Sequence, residues 1–156
     1  MKPLPAARRP PAPRFPEDYL PYLAARAAHV ILEEFHSVLR PHRMRVPEWR
    51  VLATLSAGDS YTVGALARAT LFKQPTLSKL LDRLEARGLV RRLPGGTDQR
   101  QSLVRLTAKG RRRIQPVAAE AKKKEAKTLA RFRPADVRAF KTLLNRFTAG
   151  YEGKGS

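Results

Sequence analysis

The stretch Lys73–Val104 most tightly constrains the fold. Leu77, Leu80, Leu81 and Leu84 recur at helical spacing, so a helix from about Gln74 to Arg87 should bury one face, with Gly88 terminating it. Leu89–Leu93, a turn-rich Pro94-Gly95-Gly96-Thr97-Asp98 and Ser102–Leu106 then predict a β-hairpin. A helix that can enter a groove, beside a cationic loop that can reach the next groove, predicts a nucleic-acid reader.

The flanking segments complete this unit. Thr62 is placed to cap a short helix over 63–69 whose Val63, Leu66 and Ala67 face inward, and the turn at 70–73 joins it to the helix from Gln74. Two helices with a tight turn between them form a helix-turn-helix, and the hairpin behind them is a wing. Pro47-Glu48 opens a helix over Trp49–Leu55, followed by a loop at 57–60. Before it, Glu17 to Leu39 reads as a helix with more than one apolar stripe, ended by Pro41. After the hairpin, Thr107 should cap a helix running to about Phe132, with Gly110 and Pro116 as internal weak points, and a last helix runs from Pro134 to about Phe147. The expected fold is mainly α with a small β-hairpin wing: a winged helix-turn-helix with N- and C-terminal dimerisation helices. The expected division is a basic proline-rich arm over 1–16, a dimerisation helix in 17–46, the DNA-binding region over 47–107, dimerisation helices over 108–150 and a frayed tail over 151–156.

Charge narrows the partner. The 156 residues carry a formal charge of +19, which implies a polyanion: DNA, RNA or an anionic membrane. Between Thr62 and Arg113 thirteen basic residues face three acidic ones, Asp82, Glu85 and Asp98, and supply phosphate affinity that salt should weaken steeply. No apolar run approaches the roughly 20 residues that span a bilayer. A proline series stands where a signal peptide would have its apolar core, so a cytoplasmic protein is expected. The absence of cysteine excludes thiolate metal sites and cysteine nucleophiles.

Several segments resemble the multiple antibiotic resistance regulator (MarR) family. They are Glu48–Leu52, Gly64–Ala67, the run Gln74–Arg92, and Asp98-Gln99-Arg100 continuing to Leu106-Thr107-Ala108-Lys109-Gly110. The resemblance spans roughly residues 17 to 150, and the combination of helix, wing and Leu-Thr-x-x-Gly is specific. It implies a homodimeric winged helix-turn-helix transcription regulator, usually a repressor, that sets its recognition helices into successive major grooves of a pseudo-palindromic operator. It also implies a response to small phenolic or aromatic anions, and it makes Arg100 a minor-groove contact, with Asp98 either orienting the arginine or bracing the loop by hydrogen bonding. It assigns no role to the proline-rich arm.

Side-chain chemistry distributes the other roles. Gln74, Pro75, Thr76 and Lys79 lie where a helix meets base edges: an amide suits adenine, an ammonium suits guanine, and the proline ring suits a thymine methyl. Thr62, Lys73 and Ser78 are expected on phosphates. Tyr22, Arg26, His29, Trp49 and Arg50 are candidates for an effector pocket, the rings to stack and the arginines to pair with a carboxylate, with core packing the alternative for Trp49 and a dimer interface the alternative for Tyr22 and Arg26. His29, Glu33 and His36 share a helical face but lack a further ligand cluster, so no metal and no cofactor are expected. No glycine-rich phosphate loop, nucleophile elbow or paired catalytic carboxylates emerge, so an enzyme is not expected. The competing reading is a nonspecific architectural DNA binder without an effector.

Overall fold

A computed structural model of the chain describes residues 15–58, 60–94 and 102–152, with side chains through 149. The order is α1 (Leu20–Leu39), α2 (Val46–Ala57), β1 (Tyr61–Thr62), α3 (Val63–Thr70), α4 (Gln74–Ala86), β2 (Val90–Pro94), β3 (Ser102–Leu106), α5 (Ala108–Leu129) and α6 (Pro134–Glu152). The chain divides into two compact units between Glu34 and Phe35, inside α1.

The first unit, as described, is a turn followed by most of α1. The helix begins at Leu20, three residues later than Glu17, because Phe15–Asp18 form a turn closed by the Tyr19 N–H donating to the Pro16 carbonyl. Its apolar side chains lie open: Leu20, Tyr22, Leu23, Val30, Ile31 and Leu32 are each 40–61% exposed.

The second unit holds the core. Leu52, Leu55, Leu66, Leu77, Leu81, Leu84, Ile114 and Val117 are fully buried, with Val38 and Leu39 closing one side. Helices α2 to α5 each contribute one apolar face, as periods of three and four require.

The local signals explain the ends of the elements. The Thr62 hydroxyl accepts the Ala65 N–H at 3.1 Å, and the Thr107 hydroxyl accepts the Gly110 N–H at 3.0 Å, each satisfying a donor that the helix leaves free. Gly88, at φ 68°, ends α4 in the left-handed conformation that a glycine adopts without strain. Three further boundaries differ from expectation. Helix α2 starts at Val46, because proline is tolerated in a first turn whose N–H groups have no partner. Helix α5 ends at Leu129, and α6 continues to Glu152, past Phe147 and into the segment expected to fray.

The wing is more than a hairpin. β3 pairs on both edges, antiparallel to β2 and to the two-residue β1, in the order β1-β3-β2. Tyr61↔Val104 and Thr62↔Leu103 tie the residue that caps α3 into the sheet that carries the wing.

The turn between α3 and α4 contains a strained residue. Leu71 caps α3 at φ 57°, with its side chain 78% exposed. A branched residue in this conformation costs roughly 1 kcal/mol, and little burial offsets it here. Leu71→Asn, which tolerates that backbone, is expected to raise the midpoint of thermal unfolding by about 2 °C, read by circular dichroism. A lowered midpoint would show that the exposed leucine makes a stabilising contact.

Candidate nucleic-acid interface

Helix α4 has two unlike faces. Leu77, Leu81 and Leu84 anchor it in the core, while Lys73, Gln74, Pro75, Thr76 and Lys79 are exposed. This places the polar start of the helix on the surface on a rigid support, the condition for presenting side chains to base edges. Ser78 is half-buried, between the two faces. Gln74 lies against the start of α3: a Cβ built on Gly64 would stand 3.5 Å from its Nε2. Thr62 is half-buried and its oxygen already caps α3, which leaves the hydroxyl proton free to donate. The α4 N-terminus, with Lys73 as N-cap and no side chain satisfying its N–H groups, favours an anion.

Ion pairs join the wing to this helix. The Arg92 guanidinium donates to Glu85 at 2.8 Å and pairs with Asp82 at 2.7 Å, and the Arg92 backbone N–H donates to the other Glu85 oxygen at 2.8 Å. A longer contact of 3.4 Å reaches the Ser78 carbonyl. Burial alone would lower the Arg92 pKa, but the hydrogen bonds to Asp82 and Glu85 outweigh it and raise the net value. Asp82 and Glu85 are therefore more than solvated helix charge: they hold β2 along the flank of α4. The i, i+3 spacing of two carboxylates before a basic strand was the available signal.

A second buried charge cluster lies behind the helix. Glu48, only 7% exposed, accepts both Arg87 Nη atoms, at 2.8 and 3.0 Å, and has Arg113 Nε at 4.0 Å. Hydrogen bonding to Glu48 raises the Arg87 pKa against the opposing effect of burial. Arg113 also donates to the His42 carbonyl at 2.5 Å, so Glu48 links the start of α2, the end of α4 and α5. The thirteen cations thus have unequal roles. Arg87 and Arg92 are committed internally, while Arg68, Lys73, Lys79 and Arg83 are exposed.

The expected effector residues fall in both units, three in the first and two in the second. Tyr22 and Arg26 stack on exposed α1, with the guanidinium carbon 5.7 Å from the ring centre, and His29 lies on the same helix. In the second unit, Trp49 packs edge-on against Phe35 at 4.4 Å. Arg50 donates to the Thr70 carbonyl at 3.1 Å and lies over the Phe72 ring at 5.3 Å. Both therefore have structural work in the core, Arg50 by closing the end of α3. No group of three or more metal-competent side chains occurs among the described residues, and this includes His29, Glu33 and His36. The wing tip with Asp98 and Arg100, the arm over 1–14 and the tail from Gly153 lie outside the described residues.

Known proteins share this arrangement. A sequence model of the MarR family matches residues 44–101. The MarR family transcriptional regulator SPO1453 from Silicibacter pomeroyi DSS-3 is 33% identical, with a TM-score of 0.76 over 89% of this chain and 99% of its own. This chain belongs to the MarR family. Among named MarR-like relatives, the HTH-type transcriptional regulator TtmR of Methylorubrum extorquens (strain PA1) is 33% identical over 99 residues, 64% of this chain and 51% of its own length. The homoprotocatechuate degradative operon repressor of Escherichia coli is 29% identical over 93 residues, 60% of this chain and 63% of its own. The matched stretch spans about half to two thirds of those relatives. These relatives are transcriptional regulators, and no described helix is long and apolar enough to cross a membrane.

Proposed function

We propose that the protein is a homodimeric repressor that reads a pseudo-palindromic operator and is released by a small aromatic acid or phenol. The observation that carries the DNA-reading part is α4, buried along Leu77, Leu81 and Leu84 and exposed from Lys73 through Thr76 and at Lys79. Gln74, Pro75, Thr76 and Lys79 supply the base contacts; Thr62, Lys73 and Ser78 hold phosphates. Asp98 and Arg100 serve the minor groove, where an A·T-rich, narrow groove attracts the guanidinium.

Dimerisation is supported by apolar surface that water would penalise. On α6, Phe140, Leu143, Leu144 and Phe147 recur as one stripe, each 47–61% exposed, and the first part of α1 carries its own open apolar face. Helices α1, α5 and α6 are the dimerisation elements. A two-fold axis then fixes the separation of the two α4 helices, and a ligand that binds one separation better shifts the population toward or away from DNA. The aromatic class is supported by the E. coli relative, which represses an operon for degrading an aromatic acid. Tyr22, Arg26 and His29 on α1 offer ring-stacking and carboxylate-pairing groups to such a ligand, and Trp49 and Arg50 offer the same kinds of group in the second unit.

Operator titration at fixed salt tests the reading. Arg100→Ala is expected to weaken binding by well over tenfold with the dimer still folded. In Gln74→Ala/Lys79→Ala, affinity for the operator should fall far more than affinity for a scrambled duplex. Equal losses on both duplexes would show that α4 supplies charge but no sequence reading.

A further inference from the structure

Strands β2 and β3 set Arg91 directly opposite Arg105, a like-charge cross-strand pair that weakens a sheet unless something lies between the two charges. The first turn of α5 brings Arg111 to the same place. With Leu106, Thr107 and Ala108 these arginines line a depression of about 390 Å³. No carboxylate lines it, and no ion pair among the described residues involves any of the three arginines.

Arg105 is the unusual member. Its Nε is buried and has no hydrogen-bond acceptor. Elsewhere in this unit partly buried arginines are matched: Arg92 to Asp82 and Glu85, Arg87 to Glu48, and Arg50 to the Thr70 carbonyl. A buried, charged donor without an acceptor is costly, and a turn of the Arg105 side chain that brings Nε to a ligand oxygen in the depression would relieve it. The positive end of the 22-residue α5 points the same way.

We propose that this depression is an oxyanion site for a phosphate group. Three guanidiniums suit a dianion, and their forked donors match tetrahedral oxygens. No aromatic ring lines the depression, which separates it in chemistry from the aromatic effector proposed above. It is also separate from the base-reading surface. Side chains alternate along a strand, and because Arg92 faces α4, its neighbour Arg91 and the paired Arg105 face away. The ligand is the dianionic phosphate of a free phosphorylated compound, since each diester of a duplex backbone carries a single charge.

The test is a titration of the isotopically labelled full chain with inorganic phosphate at constant ionic strength, following the Arg105 Nε–H resonance. A saturable shift is expected, with affinity weakened at least fivefold in Arg91→Gln and in Arg111→Gln. Arg105→Lys, which keeps the charge but lacks Nε and is followed instead through the Arg91 and Arg111 Nε–H resonances, should weaken it comparably while the backbone amide spectrum shows the fold intact. A linear, unsaturable drift, or titrations unchanged by these substitutions, would overturn the site. Duplex DNA that moves the same resonance, and that phosphate displaces, would overturn the assignment to a free compound and make these arginines part of the DNA contact. A resonance silent to DNA but responsive to phosphate identifies a free compound. Gln74→Ala should leave the phosphate titration unchanged, so failure of the DNA-reading proposal and failure of this one are distinguishable.

Discussion

Gly110→Ala should destabilise the protein even though alanine is the better helix former. In the interior of an exposed helix the exchange is worth about 0.5–1 kcal/mol in alanine's favour. Here a Cβ would stand 2.0 Å from the Leu89 carbonyl oxygen and 3.0 Å from Leu106 Cδ2. The first of these contacts is with backbone, and no rotamer change relieves it. That carbonyl also accepts the Thr107 N–H at 3.1 Å, so moving it disturbs the junction of β2 with the α5 cap. The net loss should be about 2–3 kcal/mol, a fall of roughly 4–12 °C in the unfolding midpoint. A midpoint that stays level or rises would mean that propensity outweighs the close approach and that α5 can shift away from Leu89.

Arg87→Ala should cost about 2–3 kcal/mol, because it leaves Glu48 nearly buried with Arg113 as its remaining cation, 4.0 Å away. The estimate lies at the low end for a broken buried pair, since Arg87 is itself 49% exposed and water partly screens it. Removing both charges tests the cause. Glu48→Met/Arg87→Met should recover most of the loss in chemical denaturation, because no orphaned carboxylate remains. If the double variant is as unstable as Arg87→Ala, the cluster stabilises through shape and packing rather than through paired charge.

What the sequence made legible was local. The leucines of α4, the caps at Thr62 and Thr107 and the stop at Gly88 each act within a few residues, and each appears as read. Longer-range features were hidden. Strand β1 has two residues, too few to show a period, and exists because β3 offers it an edge. The Glu48–Arg87 pair joins residues 39 apart, and nothing near Glu48 in the sequence distinguishes it from an acidic residue in a first helical turn. Gly110 looked like a weak point in a helix, whereas the fold gives it a positive reason: two chain segments pass too close for a side chain. Trp49 and Arg50 have suitable chemistry for a ligand, and core packing was legible as the alternative for Trp49, whereas the contacts of Arg50 with Phe72 and the Thr70 carbonyl join residues 20 or more apart.

In the proposed dimer two copies of α4, held at a fixed separation, read sequence rather than charge alone. With a charge of +19, affinity for DNA by itself decides nothing, because a nonspecific coat would bind as readily. The decisive measurement is a footprint of the full chain on genomic fragments that it selects itself. Protection of a pseudo-palindrome whose half-sites are about 34 Å, one helical turn, apart is expected. Uniform protection spreading along every fragment with no preferred position would contradict it.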